Sequence, residues 1–537
     1  MILANYFSRL RNKQASRGPV QRAIARKRAP APLIAVFLVI AILIGMVGGL
    51  GSLPLVMVIG GGTIATLLFF LVDAYGLLLS LFVMTFLIQG TLLYFLGVKS
   101  ATWVAVGMSM LFFISILMKL TLGTTRRSDA KPSPFGQSVI LFTCLFLLCF
   151  AATVVLNRPP PLQIVSGIKS YLPMFSVLLA FYWFRWDDEK IERIWNLMLA
   201  IALLQLPIVA YQHFFIATER TFDSIVGTFG GTPGAGGNSA ILVLFAITMM
   251  TYAMARWNVG LMSAKRTGII VLISIAVILL GEVKAAFLWV PVALFWVLRK
   301  RILRNVFAMV GYLIAIAAFM AATWSVYAAL YWGKDADKGN TVSEKFEARG
   351  GYFFDTKKID YRTGEISRGA SLAIWAQDPQ ASVVRRTLGY GPAASKPTGV
   401  FGPGTIARRY SPLHIDATVV AVMLWEFGIV GAAAYAGMII SAAWVSHRAS
   451  KAKNLSPQRM AILETCTPML VITITTLLYN RALVEEPTAQ LLLLFTVASV
   501  LQIARFGNLE WKRGRVAARS QKMDSDMLSD LQSKLIT

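Results

Sequence analysis

The chain has 537 residues, 56% of them hydrophobic and only 15% charged, with 52 Lys+Arg against 26 Asp+Glu. A mean hydropathy of +0.64 excludes disordered, coiled-coil and collagen-like classes, none of which is this rich in large apolar residues. A soluble nucleic-acid binder could carry the net charge of +26 but could not hide so much apolar surface, so no nucleic-acid partner is expected and a polytopic, all-α membrane protein remains.

Residues 1–30 form a basic tail, expected in the cytoplasm and too long and polar for the n-region of a secretory signal. Apolar runs near the bilayer-spanning length of about 20 residues follow at approximately 33–50, 54–72, 75–96, 101–118, 138–156, 168–184, 195–216, 239–255, 268–281, 285–298 and 306–327. A long hydrophilic segment, 328–413, comes next, and three more runs follow at 415–446, 461–479 and 488–504 before a polar tail over 505–537. This predicts about fourteen transmembrane helices, within a range of twelve to fourteen. Eleven of them lie in 31–327 and three in 414–504. Cys144, Cys149 and Cys466 all sit inside apolar runs, where a free thiol behaves as a small hydrophobe.

With fourteen helices and a cytoplasmic N-terminus, 33 of the 52 Lys+Arg face the cytoplasm. Thirteen lie in 328–413, which is long enough to be exempt from the positive-inside rule, and six in the short outer loops. Both termini are therefore expected in the cytoplasm and the long segment outside. No internal repeat of the transporter kind is visible.

The outer side carries the candidate chemistry. Lys169, Arg220, Lys284 and Arg481 stand where short outer loops meet helix ends. There a cation either snorkels to lipid headgroups or binds an anion. Lys284 shares the break Leu280-Gly-Glu-Val-Lys284 with Glu282, so the two either neutralise each other or work. Arg220 precedes the glycine-rich stretch 222–238, which includes Gly227-Thr-Phe-Gly230 and opens the helix after Asn238. Glycines allow close backbone approach and helix starts attract anions, so the region is expected to hold a diphosphate. Acid–base candidates are few. His414 and Asp416 lie where the long segment re-enters the membrane, with Glu426 beyond them; Asp416 could instead cap the helix. His213 and His447 read as packing or loop residues. No P-loop, zinc-spaced Cys/His cluster or calcium loop is present, because the Asp335-Ala-Asp-Lys-Gly339 stretch has Phe346 where the ligating Glu belongs. No cofactor or metal is expected, and an enzyme of this kind needs a substrate that arrives already activated.

Three patterns resemble the bacterial O-antigen polymerases and O-antigen ligases. These are Arg220 with Gly227-Thr-Phe-Gly230, the turn Val283-Lys-Ala-Ala286, and Leu388-Gly-Tyr-Gly391 followed by His414 and Trp425-Glu-Phe-Gly428. The similarity runs over about residues 140–505, and the large outer loop near the C-terminus fits it too. It implies an inner-membrane, metal-independent glycosyltransferase whose donor is a glycan on a polyprenyl diphosphate, with membrane lipids and chain-length or export proteins as partners. It assigns the diphosphate to Arg220 and Lys284, supported by Lys169 and Arg481. The base is Asp416 or His414, with Glu426 orienting it or fixing the helix. The ligases usually carry His-Asn or His-Ser before that helix, whereas here the sequence is His414-Ile-Asp416, which favours polymerase over ligase. A flippase for lipid-linked sugars is the rival outside enzymology, but it would place ionisable residues along a mid-membrane cavity.

Overall fold

A computed structural model describes residues 72–121, 134–216, 224–231, 238–281, 283–331, 355–397, 402–452 and 455–506. Two of the expected spans (33–50 and 54–72), the N-terminal tail, the C-terminal tail from residue 507 on, Arg220 and Glu282 lie outside them. The chain divides into two units, Met1–Asp73 and Ala74–Thr537, and the helices described below all lie in the second.

Every described element is helical apart from one isolated bridge between Ile359 and Ile366. In chain order the helices are α1 (Ala74–Leu96), α2 (Thr102–Thr121), α3 (Gln137–Asn157), α4 (Pro161–Tyr171), α5 (Phe175–Trp183), α6 (Asp188–Tyr211), α7 (Ser239–Asn258), α8 (Ala264–Leu280), α9 (Ala286–Ile302) and α10 (Val306–Tyr331). Three short helices from the long segment follow: α11 (Arg368–Ala376), α12 (Val383–Leu388) and α13 (Thr405–Arg409). The chain then forms α14 (Val419–Ala449), α15 (Pro457–Thr476), α16 (Ala482–Glu485) and α17 (Pro487–Phe506). Eight are long and apolar enough to cross a membrane, and the bent pair α4–α5 makes a possible ninth. The remaining runs expected from sequence within the described residues are α8, α9 and α15: helices, but short or interrupted by charge. The run at 168–184 is not one straight span. It breaks around Pro173 and bends by 58°.

α7 and α17 are buried almost throughout, whereas α10 is nearly bare. Around them Trp195 packs on Tyr252 (5.2 Å) and Phe495 (5.5 Å), and Phe82 meets Phe495 edge-on at 4.8 Å. Aromatic pairs of this geometry each add about 0.5–1.5 kcal/mol beyond area burial.

The two ends of the bundle differ. At one, Arg299 grips Glu464 through two bonds (2.6 and 3.0 Å), tying α9 to α15. Arg256 ties α7 to Glu192 of α6 (2.5 Å), and Arg459 ties α15 to Asp188 (2.8 Å). This is the basic end.

The opposite, loop end carries the described parts of 328–413. Ile366, Ala370, Tyr390, Ala394, Ile406, Leu413 and Ile415 form a small core seated on Trp425 of α14. Its internal brace is Asp378, fully buried, which accepts from Tyr390, from Tyr410 (3.0 Å) and from Arg409 (2.7 Å).

Glycines set two close approaches here. Gly389 (φ +79°) and Gly428 (φ +65°) lie against each other's strands of chain; a Cβ on Gly389 would stand 2.4 Å from the Glu426 backbone. The Leu388-Gly-Tyr-Gly391 turn thereby pairs with the interrupted α14, with Tyr390 N–H donating to Trp425 O (2.8 Å) and Gly391 N–H to Glu426 O (2.9 Å). On α1, a Cβ at Gly90 would come within 2.0 Å of Thr228 O. Gly90→Ala is therefore expected to lower stability by about 1–3 kcal/mol through overpacking, measured as thermal unfolding in detergent.

Candidate functional site

Four loop-end elements build one charged cluster. The start of α14 is capped by its surroundings: Thr418 Oγ1 accepts from Ala421 N–H (3.1 Å), while Val419 and Val420 donate to Asn480 O (3.0 Å) and Leu477 O (3.1 Å). Thr418, not Asp416, is thus the side-chain cap. The same pairing brings Arg481 against Asp416, whose Oδ2 accepts from its guanidinium.

Asp416 is completely buried, and its Oδ1 has no hydrogen-bond partner among the described residues. Burial pushes its carboxyl up to about 7, against the downward pull of Arg481. Arg481 Nε also holds Glu485 (2.8 Å), and Glu485 in turn faces Lys396 Nζ at 3.6 Å. Lys396 donates to Ser170 Oγ on α4 at 2.5 Å. Lys169, the preceding residue, lies over the Trp103 ring (4.7 Å) and within electrostatic reach of Lys396, Glu485 and Glu486. Glu486 accepts from Asn238 at the start of α7; burial, and Glu485 beside it, push its carboxyl above the usual range.

Of the residues singled out from sequence, the structure brings together Lys169, Arg481 and Asp416. Lys284 stands half-buried in the turn before α9. That helix packs Trp289 on Tyr479 (5.7 Å), two residues from Arg481, so the turn belongs to the same end of the bundle. Arg220 lies outside the described residues. His414 is exposed; its backbone N–H donates to Gly364 O (2.8 Å), and its imidazole makes no hydrogen bond among the described residues.

Glu426 fixes the loop to the helix. Fully buried, its carboxylate accepts from Tyr171 OH (2.6 Å), Ser395 Oγ (2.7 Å) and the amides of Ala393 and Ser395. Its lone pairs are spent on the Gly391–Lys396 turn, which is how Lys396 is aimed at Ser170.

Of the glycine-rich stretch 222–238 expected to cradle a diphosphate, residues 222–223 and 232–237 lie outside the described residues, and the Gly227-Thr-Phe-Gly230 turn packs inward. Gln212 Oε1 takes the amides of Val226 (3.1 Å) and Gly227 (2.7 Å), and Gln205 Oε1 takes that of Thr228 (3.0 Å). The turn is buried. In the described portion its glycine freedom serves packing against Gly90, and these three amides are already engaged.

Lys396, Glu485 and Glu486 were not singled out from sequence. Arg481 and Glu485 at i,i+4 spacing were a readable signal; Lys396 carries none that separates it from the other loop cations. Among the described residues, no three of His, Cys, Asp and Glu converge to hold a metal ion.

No protein-family model matches the chain, and no curated protein matches it. Composition and fold define an all-helical, multi-spanning membrane protein.

Proposed function

We propose that the chain is a membrane glycosyltransferase that joins polyprenyl-diphosphate-linked oligosaccharide repeat units into a longer glycan, working at the loop end of the bundle in the bacterial inner membrane. The observation that carries this reading is the gathering of Lys169, Lys396 and Arg481 around Glu485, next to a buried carboxylate with one oxygen unpartnered among the described residues. The acceptor hydroxyl oxygen bonds to the donor's anomeric carbon, its proton passes to Asp416, and the bond to the diphosphate breaks with the electron pair leaving on the lipid diphosphate. Cations placed where that charge grows each supply about 3–4 kcal/mol. Arg481 serves both partners: it touches Asp416 and belongs to the cation group. Arg220 and Lys284 complete the diphosphate site in this reading.

The test is reconstitution of the purified protein with lipid-linked repeat units, the products run on a gel. A ladder supports polymerisation. Transfer only to an added acceptor indicates a ligase, and movement of the lipid-linked sugar across the bilayer without transfer indicates a flippase. Lys396→Ala is expected to slow ladder growth by about 10²–10³-fold, and EDTA to leave the wild-type rate unchanged.

A further inference from the structure

Away from the charged cluster, at the basic end, α6 and α8 leave a groove of about 460 Å³ between them. That lies within the roughly 300–1,000 Å³ of small-molecule sites. Its walls are apolar: Leu199, Ala200 and Leu203 from α6, and Ile269, Ile270 and Ile273 from α8. The exposed surface beside it is apolar too, with Leu204 and Ile269 half exposed and Leu272 more so.

One end of the groove is cationic, where Arg256 and Arg266 enter its lining. Arg256 is held by Nη1, which bonds Glu192 (2.5 Å), Tyr252 (3.0 Å) and Asn196 (3.4 Å), while its Nε is buried with no partner among the described residues. Glu192 is thereby occupied. Arg266, at the start of α8, is exposed, and its guanidinium makes no hydrogen bond or ion pair among the described residues; Lys265 is exposed beside it. The rim therefore keeps a net positive charge, above a slot that only hydrocarbon fills without penalty.

We propose that this groove binds an anionic membrane phospholipid, its acyl chain between α6 and α8 and its phosphate on Arg266 and Arg256. The apolar walls argue against a free phosphate. Arg256 is already paired with Glu192, so it is the uncompensated Arg266 and Lys265 that favour a headgroup with net negative charge over a zwitterionic one, whose ammonium they repel.

The full-length protein in neutral detergent is titrated with phosphatidylglycerol, phosphatidylcholine or inorganic phosphate, with melting temperature and retained lipid as readouts. Phosphatidylglycerol is expected to raise the melting temperature more than phosphatidylcholine, with phosphate ineffective. Arg266→Ala, at an exposed position, is expected to melt as wild type without lipid and to retain about fivefold less phosphatidylglycerol, whereas Arg266→Lys keeps most of it. Equal stabilisation by both lipids, an effect reproduced by phosphate alone, or undiminished phosphatidylglycerol retention in Arg266→Ala would overturn the proposal.

Discussion

Asp416→Asn is expected to slow glycan transfer by about 10²–10⁴-fold, the range for removing a general base, while the protein still folds. Asparagine has nearly the same shape and still accepts from Arg481, whose second carboxylate partner, Glu485, remains in place. The pH dependence separates this role from a structural one. A base must be deprotonated to act, and burial lifts the Asp416 carboxyl to about 7. The wild-type rate should therefore rise as pH passes through about 7, and Asp416→Asn should lose that rise. Arg481→Gln removes the neighbouring positive charge, so the midpoint of its residual activity should move upward by about 1–3 pH units. Folding favours the protonated form of a carboxyl raised in this way. Its contribution to stability is present below the unfolded value of about 4 and is lost as pH rises through about 7. A rate with no inflection near pH 7, or an unmoved midpoint in Arg481→Gln, would remove Asp416 from the role of base.

The second large effect is expected at Glu426. Glu426→Ala leaves the Tyr171 hydroxyl, the Ser395 hydroxyl and two loop amides buried without their shared acceptor. Each buried donor left without its acceptor costs about 1–3 kcal/mol. The consequence should be local first: the 388–396 turn loosens from α14, Lys396 loses its aim at Ser170, and transfer falls. Thermal unfolding measures the stability loss, and limited proteolysis measures faster cutting within 355–397. Glu426→Gln, which keeps one oxygen acceptor, should sit between wild type and Glu426→Ala in both. An unchanged proteolysis pattern in Glu426→Ala would show that the turn is held by something else.

What could be read from the sequence divides along a physical line. Helix existence follows from local apolar length, so runs such as 138–156 and 239–255 match α3 and α7 closely. Helix shape and exact starts depend on neighbours. The run 168–184 reads as one span, yet Pro173 interrupts the amide ladder and α4 meets α5 at 58°. The start of α14 falls at Val419 because the 477–480 turn supplies acceptors from a distant segment. At the proposed site, Lys169, Arg481 and Asp416 stand out in the sequence because ionisable residues next to helix ends are few, and the structure brings the three together. Lys396 was hidden among the loop's basic residues, and only the docking through Glu426 gives it a position. His414 and Asp416 are two residues apart in sequence, but one is exposed and the other fully buried. The glycine turn at 227–230 looked like a ligand surface, because sequence does not reveal that Gln205 and Gln212 take its amides.

Counting released polyprenyl diphosphate against glycosidic linkages formed, in vesicles holding the purified protein and a lipid-linked repeat unit, tests the central claim most directly. One lipid diphosphate is expected to be released for each linkage, with both falling together in Arg481→Ala. Linkages formed without release, or release that proceeds undiminished in Arg481→Ala, would contradict it.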